Sequence, residues 1–138
     1  FPYTTLFRSA SLPIRNNQVL ARRWAGTQAR RARVAMPGGV VPDSLAASTD
    51  FGNVSHLVPG IHPMVKVAPE SVALHTEAFE ICSRGPQADR ATVDSAAGLA
   101  QVIADLARDP QLLADAREEF DAAGGPVGVD ELFGLGDG

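Results

Sequence analysis

The sequence predicts an α/β fold, with a few strands packed against about five helices, and three observations carry that expectation. Apolar residues recur at helical spacing in several segments between Asn16 and Phe120. One run, Ile61 to Pro69, instead alternates and is rich in β-branched residues. The links between these segments carry proline and glycine. Two or three short strands are too few for a complete sheet, so the pattern reads as part of a domain.

"LPIRNNQVLARRWAGTQARRARV" opens on a proline turn, and Asn16 or Asn17 can cap a helix running to about Arg33. Leu20, Trp24 and Thr27 fall on one side of it, with arginines spread over the rest. "MPGGVVPDSLAA" is loop. Ser48 to Asp50 supply cap chemistry for a short helix from Phe51 to about Leu57, which Pro59 ends. In "IHPMVKVAP" Met64, Lys66 and Ala68 point one way and Val65 and Val67 the other, the pattern of a strand. "VALHTEAFEICS" passes from an apolar stretch through His75 into a helix that holds Cys82 as a small core residue.

The strongest helical signal follows. Val93, Ala96, Ala100, Ile103 and Ala107 make one stripe, with Leu99 and Leu106 beside it, the face expected to be buried. Asp109 caps a last helix with Pro110 in its first turn, burying Leu112, Leu113, Ala116 and Phe120. Residues 124–138 contain six glycines and read as a loose tail.

The chain is 138 residues long, 45% hydrophobic and 20% charged, a globular rather than disordered balance. No apolar run approaches the roughly 20 residues of a membrane helix. A single cysteine excludes an internal disulfide framework and fits a reducing compartment. The net charge of −4 hides an asymmetry: residues 1–34 hold seven arginines and no acid, while the remainder holds all sixteen acids. Arg15, Arg22, Arg23, Arg30, Arg31 and Arg33 therefore support an alternative function, a basic helix that neutralises nucleic-acid phosphates. They scatter around the helix without an aromatic platform, which favours an ordinary exposed surface.

His56, His62 and His75 are the only histidines. No His-x-Asp, Glu-Glu or His-Glu-x-x-His motif accompanies them, so spacing alone makes each a hydrogen-bonded imidazole before a ligand. His75 stands apart because it falls where an apolar run gives way to a helix. The Ser48-Thr49-Asp50 turn points backbone N–H groups outward, which suits a carboxylate or phosphate as well as an ordinary cap.

"STDFGNVSHLVPGIHPMVKV", then "ALHTEAFE", then a long alanine-rich helix ending "DPQLLADAREEF", resembles the C-terminal part of the aminoacylase/carboxypeptidase-type metallopeptidases. The likeness runs from about Leu12 to Phe120. Within that family it is nearest the amidohydrolase branch containing p-aminobenzoyl-glutamate hydrolase subunits and Xaa-Arg (β-alanyl-lysine) dipeptidases. The resemblance implies a cytoplasmic, metal-dependent peptidase or amidohydrolase that cleaves an amide bond of a dipeptide or N-acyl amino acid. It implies two divalent metals, zinc or possibly manganese, with His75, followed by Thr76, as the last metal ligand in sequence. It makes Ser48, Thr49, Asp50 and Asn53 substrate-binding residues and leaves His56 and His62 structural duty.

The family's other ligands, its bridging carboxylate, its general-base glutamate and most of its lid domain lie upstream of such a segment. The resemblance therefore implies that residues 10–123 are the C-terminal segment of a catalytic domain whose parent dimerises through the lid. It also implies no nucleic-acid or membrane partner, and a fragment that by itself is metal-free and inactive. "FPYTTLFRS", residues 1–9, resembles a translated sequencing adapter and supports the reading of a truncated chain.

Overall fold

In a computed structural model the described residues are 12–34, 49–128 and 131. Every helix but α2 begins at a capping side chain or a proline. Helix α1, Gln18–Ala29, has Asn17 as its cap, with Oδ1 accepting from the Leu20 N–H. Two further free N–H groups of its first turn are taken by Glu119, whose carboxylate accepts from Gln18 and Val19 at 2.5 and 2.8 Å. A carboxylate is favoured there by the helix dipole as well as by the hydrogen bonds. Asn17 Nδ2 donates to the Ala116 carbonyl, so one side chain both starts α1 and binds it to the last helix.

Helix α2 is Phe51–Ser55, and α3 is Glu77–Ser83 with Thr76 as its cap. Helix α4, Pro86–Arg108, and helix α5, Pro110–Ala122, each begin with proline, which fits a first turn whose N–H groups lack helical partners. Asp109 caps α5 through the N–H groups of Gln111 and Leu112. Gly124 and Gly125 end α5 in left-handed conformations, with the Gly125 N–H donating to the Phe120 carbonyl.

Helices α1, α4 and α5 pack together around Leu20, Trp24, Val102 and Ala116, with Val19, Ile61, Val65 and Leu106 closing over them. Arg15 locks the end of α5 from the other terminus. It lies 4.3 Å over the Phe120 ring and donates to the Ala123 and Gly125 carbonyls. The acidic face of α4 takes up several arginines of α1 and its exit. Asp105 binds Arg23 at 2.6 Å, and Asp94 binds Arg33 at 2.7 Å with Arg31 at 3.9 Å.

The expected α/β class is not what forms: no strand occurs among the described residues, and the fold there is helical. The alternation read in residues 61–67 is real. Ile61, Pro63, Val65 and Val67 are half-buried, while His62, Met64 and Lys66 are exposed. It records an extended segment lying with one side on the helices. The Gly60 carbonyl accepts from Asn17, and the His62 N–H goes to the Asn16 side chain, so no ladder builds.

The stripe expected to be buried on α4 is also corrected. Val93, Ala96, Ala100, Ile103 and Ala107 are exposed, and the buried face is Ala88, Ala91, Gly98, Val102 and Asp105. On α5, Leu113 is exposed rather than buried. Cys82 is half-buried on a helix that has no buried residue, so it is not a core residue. The adapter-like residues 1–9, the loop 36–47, and residues 129–138 of the tail except Glu131 lie outside the described residues.

Asp105 has a pH consequence. The Gln101 side-chain hydrogen bond is the largest influence on its carboxyl; partial burial opposes it, and Arg23 adds to the lowering, so the group titrates below its ordinary 3.8. A depressed carboxyl stabilises the fold fully above its unfolded value, and the contribution fades as pH falls through the lower folded value. Asp105→Asn is expected to lower Tm near neutral pH, and the difference should shrink as acid protonates the folded carboxyl. Thermal unfolding followed by circular dichroism across that range checks it.

Candidate functional site

Thr49, Asp50 and Asn53 form the described part of the polar loop; Ser48 lies outside the described residues. Thr49 Oγ1 accepts from the Phe51 N–H at 3.3 Å. Asp50 occupies the cap position of α2 without a side-chain cap bond, and it is exposed. Asn53 Oδ1 accepts from the Leu12 N–H at 2.9 Å across 41 residues of sequence.

Neighbouring polar groups are similarly engaged. Ser55 is fully buried, accepting from the Arg15 N–H and donating to the Gly52 carbonyl. Gly52 lets the chain at Leu12 pass directly over α2; a Cβ there would land on the Leu12 carbonyl oxygen. The segment from Asn53 to Ser55 thus works as a clamp on residues 12–15. Nothing in the spacing of "STDFGNVS" distinguishes such a clamp from a substrate loop.

His56 Nε2 sits 3.1 Å from the Pro13 carbonyl, and the half-buried ring belongs to the same clamp. His62 is exposed, with its ring 5.5 Å from that of Phe51. His75 shares the exposure of His62 but differs from both in its backbone. It is exposed, and its backbone is left-handed, with φ at 60°. The following residue holds that turn from both sides: Thr76 Oγ1 donates to the Ala73 carbonyl at 2.8 Å and accepts from the Phe79 N–H at 3.2 Å.

A left-handed conformation is strained for any residue with a Cβ. His75 recovers none of that through burial, because its ring faces solvent. His75→Gly is therefore expected to stabilise the chain by ~0.5 kcal/mol, the relief of strain less the entropy a glycine adds to the unfolded state. Urea titration reads the difference, and a loss of more than ~1 kcal/mol would show that the imidazole serves the fold.

As a metal centre these residues do not suffice. Among the described residues no three histidine, cysteine or carboxylate side chains gather as a metal site requires. His62 and His75 both expose their rings, and among the described residues neither gathers two further ligands. The open apolar groove, about 370 Å³, lies between α4, α5 and the end of α2. Its walls include Leu20, Leu57, Leu106 and Phe120 but none of the residues nominated for substrate or metal.

Comparison with known proteins gives a partial relationship. The chain is 39% identical over 75 residues to Xaa-Arg dipeptidase of Homo sapiens, covering 54% of this chain and 17% of that protein. The Mus musculus Xaa-Arg dipeptidase gives the same identity and coverage. The matched part thus spans about a sixth of the length of these relatives, and both are peptidases by name. No family model matches the chain, and no solved structure does.

Proposed function

We propose that this chain is the C-terminal part of the catalytic domain of a metal-dependent amidohydrolase or dipeptidase, acting on an amide bond of a dipeptide or N-acyl amino acid. The likeness to Xaa-Arg dipeptidases carries the reading. The exposed, left-handed His75 supports it, as a group presented outward at a strained position with no return to the fold.

His75 supplies one neutral imidazole to a centre of two divalent ions, zinc or manganese, whose other ligands lie outside these residues. Ser48, Thr49 and Asp50 hold the polar end of the substrate. Asn53 reaches it only by releasing the Leu12 N–H. The whole enzyme is a cytoplasmic homodimer that engages small peptides rather than nucleic acid or membrane. Among the described residues no helix is long and apolar enough to cross a membrane. The alternative of a basic nucleic-acid module has less support, because Arg15, Arg23, Arg31 and Arg33 hold partners within the chain.

The test is a chimera in which this chain replaces the segment it matches in human Xaa-Arg dipeptidase. Hydrolysis of Xaa-Arg dipeptides by the chimera, lost on His75→Ala, is the expected result. A folded chimera whose rate is indifferent to His75 would refute the assignment.

A further inference from the structure

Helix α4 carries apolar residues on two opposite sides, and the described structure covers one of them. Ala88, Ala91, Gly98 and Val102 face the other helices. On the far side Val93, Ala96, Ala100, Ile103 and Ala107 recur at steps of three and four residues, all exposed. Val93 and Ile103 each keep 67% of their surface, and Leu99 beside them keeps 40%. From Ser95 to Ala104 the helix has no charged residue. A helix apolar all round is normally buried all round.

We propose that this outward seam of α4 is a docking surface for an apolar layer contributed by the rest of a dipeptidase-type domain. The inference rests on the function proposed above. Two observations select this occupant over a second copy of the chain. The first is length: the match covers 17% of each relative, which leaves 83% (100 − 17) of a relative's chain without a counterpart in the match. The second is size. From Val93 to Ala107 the seam is a strip about 21 Å long and ~10 Å wide. Three of its five residues are alanines. A stable interface between separate proteins takes roughly 800 Å² from each partner. Docking within one polypeptide escapes the loss of free translation and rotation, so a narrow strip is enough.

Thiol accessibility tests the proposal, with Cys82→Ser as background and Val93→Cys or Ile103→Cys as the reporter. In the 138-residue chain by itself, both thiols should react with a maleimide as fast as one at the exposed position Glu118→Cys. That rate should not change with protein concentration. In the chimera with human Xaa-Arg dipeptidase, reaction at 93 and 103 should slow at least tenfold while the thiol at 118 stays fast.

Equal rates in chimera and isolated chain would overturn the proposal. So would protection in the isolated chain: appearing as its concentration rises, it would assign the seam to a second copy; present at every concentration, it would mean this chain covers its own seam. Hydrolysis by the chimera is read separately. Activity without protection refutes the docking and spares the functional reading; protection in a folded chimera whose rate ignores His75 does the reverse.

Discussion

Gly98→Ala is expected to lower the melting temperature by roughly 10–20 °C, a loss of ~2–3 kcal/mol. Gly98 lies where α4 crosses α1. A Cβ there would fall on Gln28 Nε2, 2.6 Å from Thr27 Oγ1 and 3.3 Å from Trp24 Nε1. Gln28 and Thr27 are fully buried, and Gln28 Nε2 donates to the Asp94 carbonyl and to Thr27 Oγ1. The amide therefore cannot swing aside without leaving a buried donor unpaired, about 1–3 kcal/mol in itself, or forcing the helices apart. Against this stands the ~0.5–1 kcal/mol by which alanine is the better helix former. Gly26→Ala isolates that gain. Position 26 is also helical, but nothing lies within 4 Å of its Cβ, so this variant is expected to be slightly stabilised. If the two variants melted alike, the close crossing of α1 and α4 would be disproved.

The helices were legible because their signals are local. Asn17 and Asp109 are caps readable within three residues of the turns they start, and Pro110 marks a first turn. Thr76 and Pro86 start α3 and α4 in the same way but are not read as starts from the sequence. Partners across the chain were not legible. That Glu119 would start α1, 100 residues away, or that Asn53 would hold the Leu12 backbone, is a property of the packing and leaves no trace in spacing.

Two of the misreadings share a cause: periodicity gives the number of apolar faces but not their cover. On α4 two apolar stripes compete, and the one made of larger residues faces outward. The inner one includes Gly98, where the Gln28, Thr27 and Trp24 side chains of α1 leave no room for a Cβ. In residues 61–67 the alternation marks one-sided contact, which an extended segment makes on helices as readily as in a sheet. At the candidate site the turn at His75 was visible as a change from apolar run to helix. Its left-handed backbone was not, since histidine carries no local mark of that conformation as glycine does.

His75→Ala in the chimera carries the largest expected effect on activity. Losing an outer partner that orients a metal ligand typically lowers metal affinity or activity by 10–100-fold, and removing a ligand itself should exceed that. The fold should be untouched, because the His75 ring is exposed and its replacement opens no cavity. The expected pattern is therefore a rate reduced by more than about a hundredfold and a lower metal content, with an unchanged melting temperature. His56→Ala should behave in the opposite way. That ring meets the Pro13 carbonyl, so its loss should lower stability by ~1 kcal/mol and leave the rate nearly intact.

The most direct measurement is a zinc titration of the isolated 138-residue chain, followed through the imidazole resonances of its three histidines. Exposed imidazoles whose companion ligands lie elsewhere should give binding no tighter than roughly millimolar, at His75 and His62 alike. Saturable binding at micromolar zinc would contradict the account, because it would require three or four ligands gathered within this chain.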